Sequence, residues 1–173
     1  MKVGLGIAIL VVAQYRAYRE VWRELRSERE RKTKLTVFAE PGAGLYVETP
    51  LGAANSLGFY LELNLGVQND GPQNSVIRRF DLEIEETNSR YEDIRPSRRN
   101  YVQTRAGQQQ MRNLWISDQP GVIVVPAHDV RAGILAFYVQ GDHGLSGQVH
   151  CKLRLEDADG VSVEHVFVTP VVG

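Results

Sequence analysis

The spacing of apolar positions changes abruptly near the start of the chain. Residues 3–13 (VGLGIAILVVA) carry no polar side chain, and residues 14–34 (QYRAYREVWRELRSERERKTK) are dominated by Arg and Glu. From Lys34 onward apolar residues recur at every second position, the period of a strand with one face buried. In 59–69, Phe59, Leu61, Leu63, Leu65 and Val67 alternate with Tyr60, Glu62, Asn64 and Gly66. In 76–86, Phe80, Leu82 and Ile84 face inward while Arg79, Asp81, Glu83 and Glu85 face water. The turn formers Asn69-Asp70-Gly71-Pro72 lie between these segments and predict an antiparallel hairpin. Further strands are expected at 35–38, 122–125, 132–139 (a central strand) and 148–156. The last continues through the turn Asp157-Ala158-Asp159-Gly160 into 161–168 as a second hairpin. Gly42-Ala43-Gly44 reads as a turn.

Three readings fit the N-terminal segment. Eleven apolar residues fall short of the ~20 that a spanning helix needs, although Tyr15 and Tyr18 suit a membrane interface and Arg16 can snorkel. Val11-Val12-Ala13 is compatible with a signal-peptide cleavage site. Alternatively, Ala8, Val11, Tyr15, Tyr18, Trp22 and Leu25 recur at alternating threes and fours, a coiled-coil seam that Arg29 and Lys32 interrupt. The helix-interface or membrane residues are therefore Val11, Tyr15, Tyr18, Trp22 and Leu25. If the segment spans, the basic residues following it place that flank, and the domain after it, in the cytoplasm.

At least seven strands with few helical signals after Lys34 point to an antiparallel immunoglobulin-like β-sandwich over 35–173, preceded by one N-terminal helix over 1–34. The segments LNLGVQNDGPQNSVIRRFDLEI (63–84) and VIVVPAHDVRAGILAFYV (122–139) resemble the immunoglobulin-like domains of bacterial membrane-tethered proteins. The resemblance is one of strands and turns and supplies no catalytic residues. The Cys…Trp…Cys hallmark of true immunoglobulin domains is missing, since Cys151 has no partner cysteine.

Charge sharpens the division. Residues 14–34 hold eight basic residues against four glutamates, and 35–173 hold eleven against seventeen acidic residues, so a +4 stalk carries a −6 domain. An acidic domain repels nucleic acid and anionic lipid at long range. One cysteine excludes an internal disulfide framework and a cysteine-based zinc site, and fits a reducing compartment.

The long polar stretch 87–113 interrupts the strand pattern. Arg95, Arg98 and Arg99 with Tyr101 form the candidate partner-binding group, able to grip a carboxylate or phosphate by bidentate contacts and stacking. The competing reading is a solvated loop whose arginines pair with Glu92, Asp93 and carboxylates of the sheet. An edge strand is expected near 100–104, and Gln108-Gln109-Gln110 reads as loop. Elsewhere the chemistry is sparse. A calcium loop opening at Asp157 would need an acid at its twelfth position, which is Val168. The four histidines lack metal-site spacing, though His143 and His150 could converge across a hairpin. His150 and Cys151 are strand neighbours and point to opposite faces.

The sequence thus predicts a non-enzymatic, membrane-tethered sandwich without metal or cofactor that binds or scaffolds another protein. Two alternatives stand beside it: a structural or virion-type assembly protein that oligomerises through its N-terminal helix, and a metal-dependent hydrolase using the histidines.

Overall fold

The computed structural model describes residues 18–24, 34–49, 54–111, 114–119 and 121–173, except for the side chains of residues 42 and 43. Among these described residues, 18–24 are helical and ten strands follow: β1 (Leu35–Glu48), β2 (Gly58–Asn69), β3 (Ser75–Ile84), β4 (Ser89–Tyr91), β5 (Tyr101–Thr104), β6 (Gly107–Gln110), β7 (Ile123–Val125), β8 (Asp129–Gln140), β9 (Gln148–Asp157) and β10 (Ser162–Val172). The fold is a β-sandwich. One layer is β1-β2-β8 and the other is β4-β3-β9-β10, with β7 also paired to β3. This is the two-sheet division of immunoglobulin-type domains. The pairings between these strands are antiparallel except where Leu45 and Tyr46 of β1 lie parallel to Val171 and Val172 of β10, joining the layers at one corner. Farther along that corner the His165 imidazole hydrogen-bonds the Ala39 carbonyl at 2.8 Å.

The core lies between the layers. Every core residue of the period-two pattern (Leu61, Leu63, Leu65, Phe80, Leu82, Ile84, Leu135, Phe137, Leu153 and Leu155) is buried there. Cys151 joins them as a small apolar group, its thiol pushed up to about 12 by burial. The β9–β10 hairpin forms as expected, and Asp157 closes it. Its carboxylate accepts the N–H groups of Asp159 and Val161 and the Ser75 hydroxyl at 3.0, 2.8 and 3.2 Å, the work of a turn-forming aspartate.

Several expectations are corrected. β2 and β3 are not a hairpin: β2 pairs with β1 and β8, while β3 pairs with β4, β7 and β9. The 69–74 connection is an arch between layers, because both strands bury their apolar faces in one core from opposite sides. Asn69, with no exposed surface, anchors it. Its amide donates to the carbonyls of Gln73, Val125 and Pro126 at 2.7, 3.2 and 3.2 Å, and its own oxygen accepts the Gly71 N–H at 3.0 Å. The first strand runs on to Glu48 rather than ending at Phe38. Gly42-Ala43-Gly44 is a bulge inside it, where β1 advances from Pro41 to Gly44 while β2 advances from Leu63 to Glu62. Gly44 has φ 131°, and a Cβ there would lie 2.8 Å from the Pro170 carbonyl oxygen, so only glycine lets β1 close on β10.

The segment expected as a central strand, 132–139, belongs to β8, which lies at the end of its layer. Its outer edge is strapped by bridges from Pro96 to Phe137 and from Trp115 to Ile134. The second strap requires Gly133, where a Cβ would sit 2.6 Å from the Ile116 Cα. Covered edges resist unwanted strand addition.

Asn69→Ala should cost about 1–3 kcal/mol, because buried carbonyls lose their donor. Phe80→Ala should cost about 3–5 kcal/mol. Urea denaturation of each variant beside the parent checks both.

Candidate functional site

The outer face of β1-β2-β8 is a ladder of six cross-strand rows: Glu48–Gly58–Gln140, Tyr46–Tyr60–Tyr138, Gly44–Glu62–Ala136, Glu40–Asn64–Ile134, Phe38–Gly66–Ala132 and Thr36–Gln68–Val130. The first three rows are covered. After β4 the chain crosses from one layer to the other. The Ile94 N–H bonds the Phe80 carbonyl at 2.9 Å, and the Ser97 N–H bonds the Ala136 carbonyl at 2.7 Å. It then lays the β5–β6 hairpin over the tyrosine row. Val102 and Met111 pack with Tyr46, Tyr60 and Ala136, while Trp115 and Tyr138 border the cluster. The Thr49 N–H bonds the Gln103 carbonyl at 2.9 Å and pins the hairpin to the end of β1.

This second core changes the reading of β2. Tyr60 and Glu62 face the hairpin rather than water, and both are buried. Gln108–Gln110 belongs to β6, paired to β5, and is not loop. Burial, and then the charge of Glu62, pushes the Tyr60 hydroxyl up, with Arg99 opposing. That hydroxyl has no hydrogen-bond partner among the described residues.

The four candidate residues occupy this hairpin and its approach. The Arg99 guanidinium lies 3.5 Å from the Tyr138 ring centroid, and its Nη1 is 2.6 Å from Oε1 of Glu48. Burial, and then the hydrogen bond with Glu48, pushes the Tyr138 hydroxyl up. Arg98 donates to the Ser117 carbonyl and lies 6.0 Å from the Trp115 ring centroid. Arg95 pairs with Asp93 at 2.9 Å. Each arginine is held by a different neighbour. Tyr101 is 55% exposed. A cavity of about 20 Å³ beside Arg98 and Trp115 has room for a single water and no organic ligand. The arrangement is a clamp of stacking and ion pairing that leaves Tyr101 and Arg95 outward.

Sequence reasoning missed Glu48, Tyr60 and Tyr138. A signal existed, because AGILAFYV holds apolar side chains in both phases, the mark of a strand covered on two faces.

The histidines stay apart. His143 Nδ1 lies 2.9 Å from the Tyr91 hydroxyl, with its ring edge-on to Phe59. His150 Nδ1 lies 2.6 Å from Glu86, on the opposite face of β9 from Cys151. Among the described residues no group of three or more His, Cys, Asp or Glu side chains is placed to hold a metal ion. The hydrogen bond between them holds Glu86 below its usual 4.5 and His150 above its usual 6.5.

Tyr18 and Trp22 are 63% and 56% exposed, with ring centroids 6.4 Å apart. Val11, Tyr15 and Leu25 lie outside the described residues. Among the described residues no helix is long and apolar enough to cross a membrane, and residues 3–13 fall outside that statement.

No protein-family model and no curated protein matches the chain. Solved structures do. A FixG-related protein from Vibrio parahaemolyticus is similar over 80% of this chain and 95% of its own, at 11% identity and TM-score 0.43. The CARDB domain of a Pyrococcus furiosus protein, solved with di-metal ions, is similar over 81% and 89%, at 13% identity and TM-score 0.39. A β-sandwich protein from Clostridium difficile is similar over 79% and 85%, at 11% identity and TM-score 0.34. These likenesses concern architecture, and no activity, ligand or partner passes from those proteins to this chain.

Arg99→Ala should destabilise the domain by about 1–3 kcal/mol, less than breaking a fully buried pair because Arg99 is 37% exposed. Adding Glu48→Gln should recover part of that loss, since a neutral amide leaves no buried charge. Arg95→Ala should stay within about 0.5 kcal/mol. Urea denaturation of the four proteins checks the set. A pH series checks the His150–Glu86 pair. Stability from Glu86 is present above the usual carboxylate value and lost as pH falls through its lowered one. Stability from His150 is present below the usual histidine value and lost as pH rises through its raised one. The gap between parent and His150→Gln should therefore be widest between pH 4.5 and 6.5 and should close in alkali.

Proposed function

We propose that this protein is a non-enzymatic, membrane-tethered β-sandwich that binds or scaffolds another protein through the 94–111 segment, with the sandwich on the cytoplasmic side. The observation that carries the contact surface is the pinned hairpin. A protein partner meets Tyr101 and the outward arginines on a segment already ordered by the Tyr46–Tyr60–Tyr138 row, so little entropy is lost on contact. Tyrosine and arginine are the side chains that interfaces favour. The tether rests on the apolar residues 3–13, and the cytoplasmic orientation on the basic residues that follow.

A second reading is favoured by a separate observation. The helical residues Tyr18, Val21 and Trp22 stand at i, i+3 and i+4 and are 63, 52 and 56% exposed. An apolar stripe of this kind is a helix face ready for a partner, which is what an assembly protein would use.

Alkaline extraction of membranes separates tether from packed helix. The full chain should stay in the pellet and a chain lacking residues 1–33 should be soluble; release of the full chain would remove the tether. For the contact surface, a photoreactive amino acid replacing Tyr101 should give one discrete cross-linked protein in cells. The yield should fall at least about tenfold when Arg95 and Arg98 become glutamate. A yield unchanged by charge reversal would place the contact elsewhere.

A further inference from the structure

The six-row face is covered by the hairpin over half its length; in the rest Ile134 is still buried, and the two rows beyond it are bare. Where the covered half carries the Tyr46–Tyr60–Tyr138 row, the bare half carries Phe38–Gly66–Ala132. Gly66 and Ala132 make a recessed floor between two walls, Phe38 at 56% exposure and Leu114 at 78%. The slot they bound holds about 320 Å³. Its lining is apolar apart from Glu40 and Asn64, both exposed at its mouth. A small-molecule site of this size ordinarily adds converging polar groups that fix orientation. This slot has none, and its chemistry is that of a seat for large apolar side chains.

The same chain carries a matching occupant. Residues 18–24 present Tyr18, Val21 and Trp22 as one exposed stripe, flanked by Arg19 and Arg23. In the sequence that helix precedes β1, whose Thr36 and Phe38 are the first outward residues of the bare rows. The charges agree as well: 14–34 is +4 and 35–173 is −6, with Glu40 beside the slot. All seven described helical residues are exposed, so the stripe is seated on no described part of its own protomer. Reciprocal exchange solves both problems at once. Under two-fold symmetry each helix covers the other protomer's slot, and the interface is isologous and closes.

We propose that two copies of this chain dimerise by seating the Tyr18–Val21–Trp22 stripe of each on the Phe38–Gly66–Ala132–Leu114 slot of the other. This rests on the assembly reading above, to which it adds the surface. It leaves the 94–111 hairpin free, because the slot lies on the rows that the hairpin does not cover.

The test uses the full chain in detergent micelles, made as an equal mixture of light and heavy-nitrogen protein with Trp22 replaced by p-benzoylphenylalanine. Irradiation and peptide mass spectrometry should find cross-links from position 22 to peptides carrying Phe38, Leu114 or Ala132, with light joined to heavy. In chains that keep Trp22, sedimentation should show Trp22→Ala weakening the dimer at least about tenfold. Trp22 lies outside the sandwich, so that variant keeps the fold. Ala132→Arg, which fills the slot, should do the same with an unchanged urea midpoint. Slot cross-links joining only like isotopes would mean that the helix folds back on its own protomer, and would overturn the exchange. Dimers whose cross-links connect helix to helix would overturn the slot while leaving the assembly reading intact. A monomer at every concentration would overturn both.

Discussion

The tyrosine row Tyr46–Tyr60–Tyr138 governs how this chain is arranged outside its central core. Three aromatic side chains side by side on the outer face of a sheet cannot be left to water without a large exposed apolar patch. Covering them requires a long insertion, and the 94–111 segment supplies it. The cover in turn buries Glu48 and Glu62, and Arg99 answers Glu48 from the hairpin itself. The 94–111 segment is therefore a third layer laid on the sandwich, with its own small core.

The same insertion deals with the open edge of β8. Its way out crosses that edge at Pro96 and its way back crosses at Trp115. The return crossing depends on Gly133, since any side chain there would meet backbone. One segment thus covers a face and protects an edge, and it does so through its inward residues Val102, Met111 and Arg99.

This bears on how the arginines are understood. A cluster free to grip a ligand would converge on an open cleft. Here Arg99 is committed to Tyr138 and Glu48, Arg98 to Ser117 and Trp115, and Arg95 to Asp93. Tyr101, Arg95 and Arg98 nevertheless stay exposed on one ordered surface, and the bare half of the ladder is a second. Neither surface positions a nucleophile or an acid–base pair. The thiol of Cys151 is sealed in the core, and each of the histidines His143 and His150 is held by a different neighbour.

The period-two alternation by itself determined β2, β3 and β9 with inward residues such as Leu61, Phe80 and Leu153, and the turn formers from Asp157 determined the β9–β10 turn. These follow from local geometry, because a strand's side chains alternate whatever it pairs with. By contrast, β4, β6 and the second half of β1 left no such mark. The alternation also located the polar stretch that became the hairpin, with its arginines and Tyr101. Only the tertiary structure decided which strands are neighbours. Asn69-Asp70-Gly71-Pro72 has the composition of a hairpin turn and serves as an arch, because turn residues specify a reversal and not the layer to which the chain returns. Only the tertiary structure decided, too, that Tyr60 and Glu62 are buried. Alternation reports that a strand has two unlike faces, and whether the more polar one meets water depends on a segment some forty residues away in the sequence. Pairing across such distances rests on shape and burial summed over many residues, which no local pattern records.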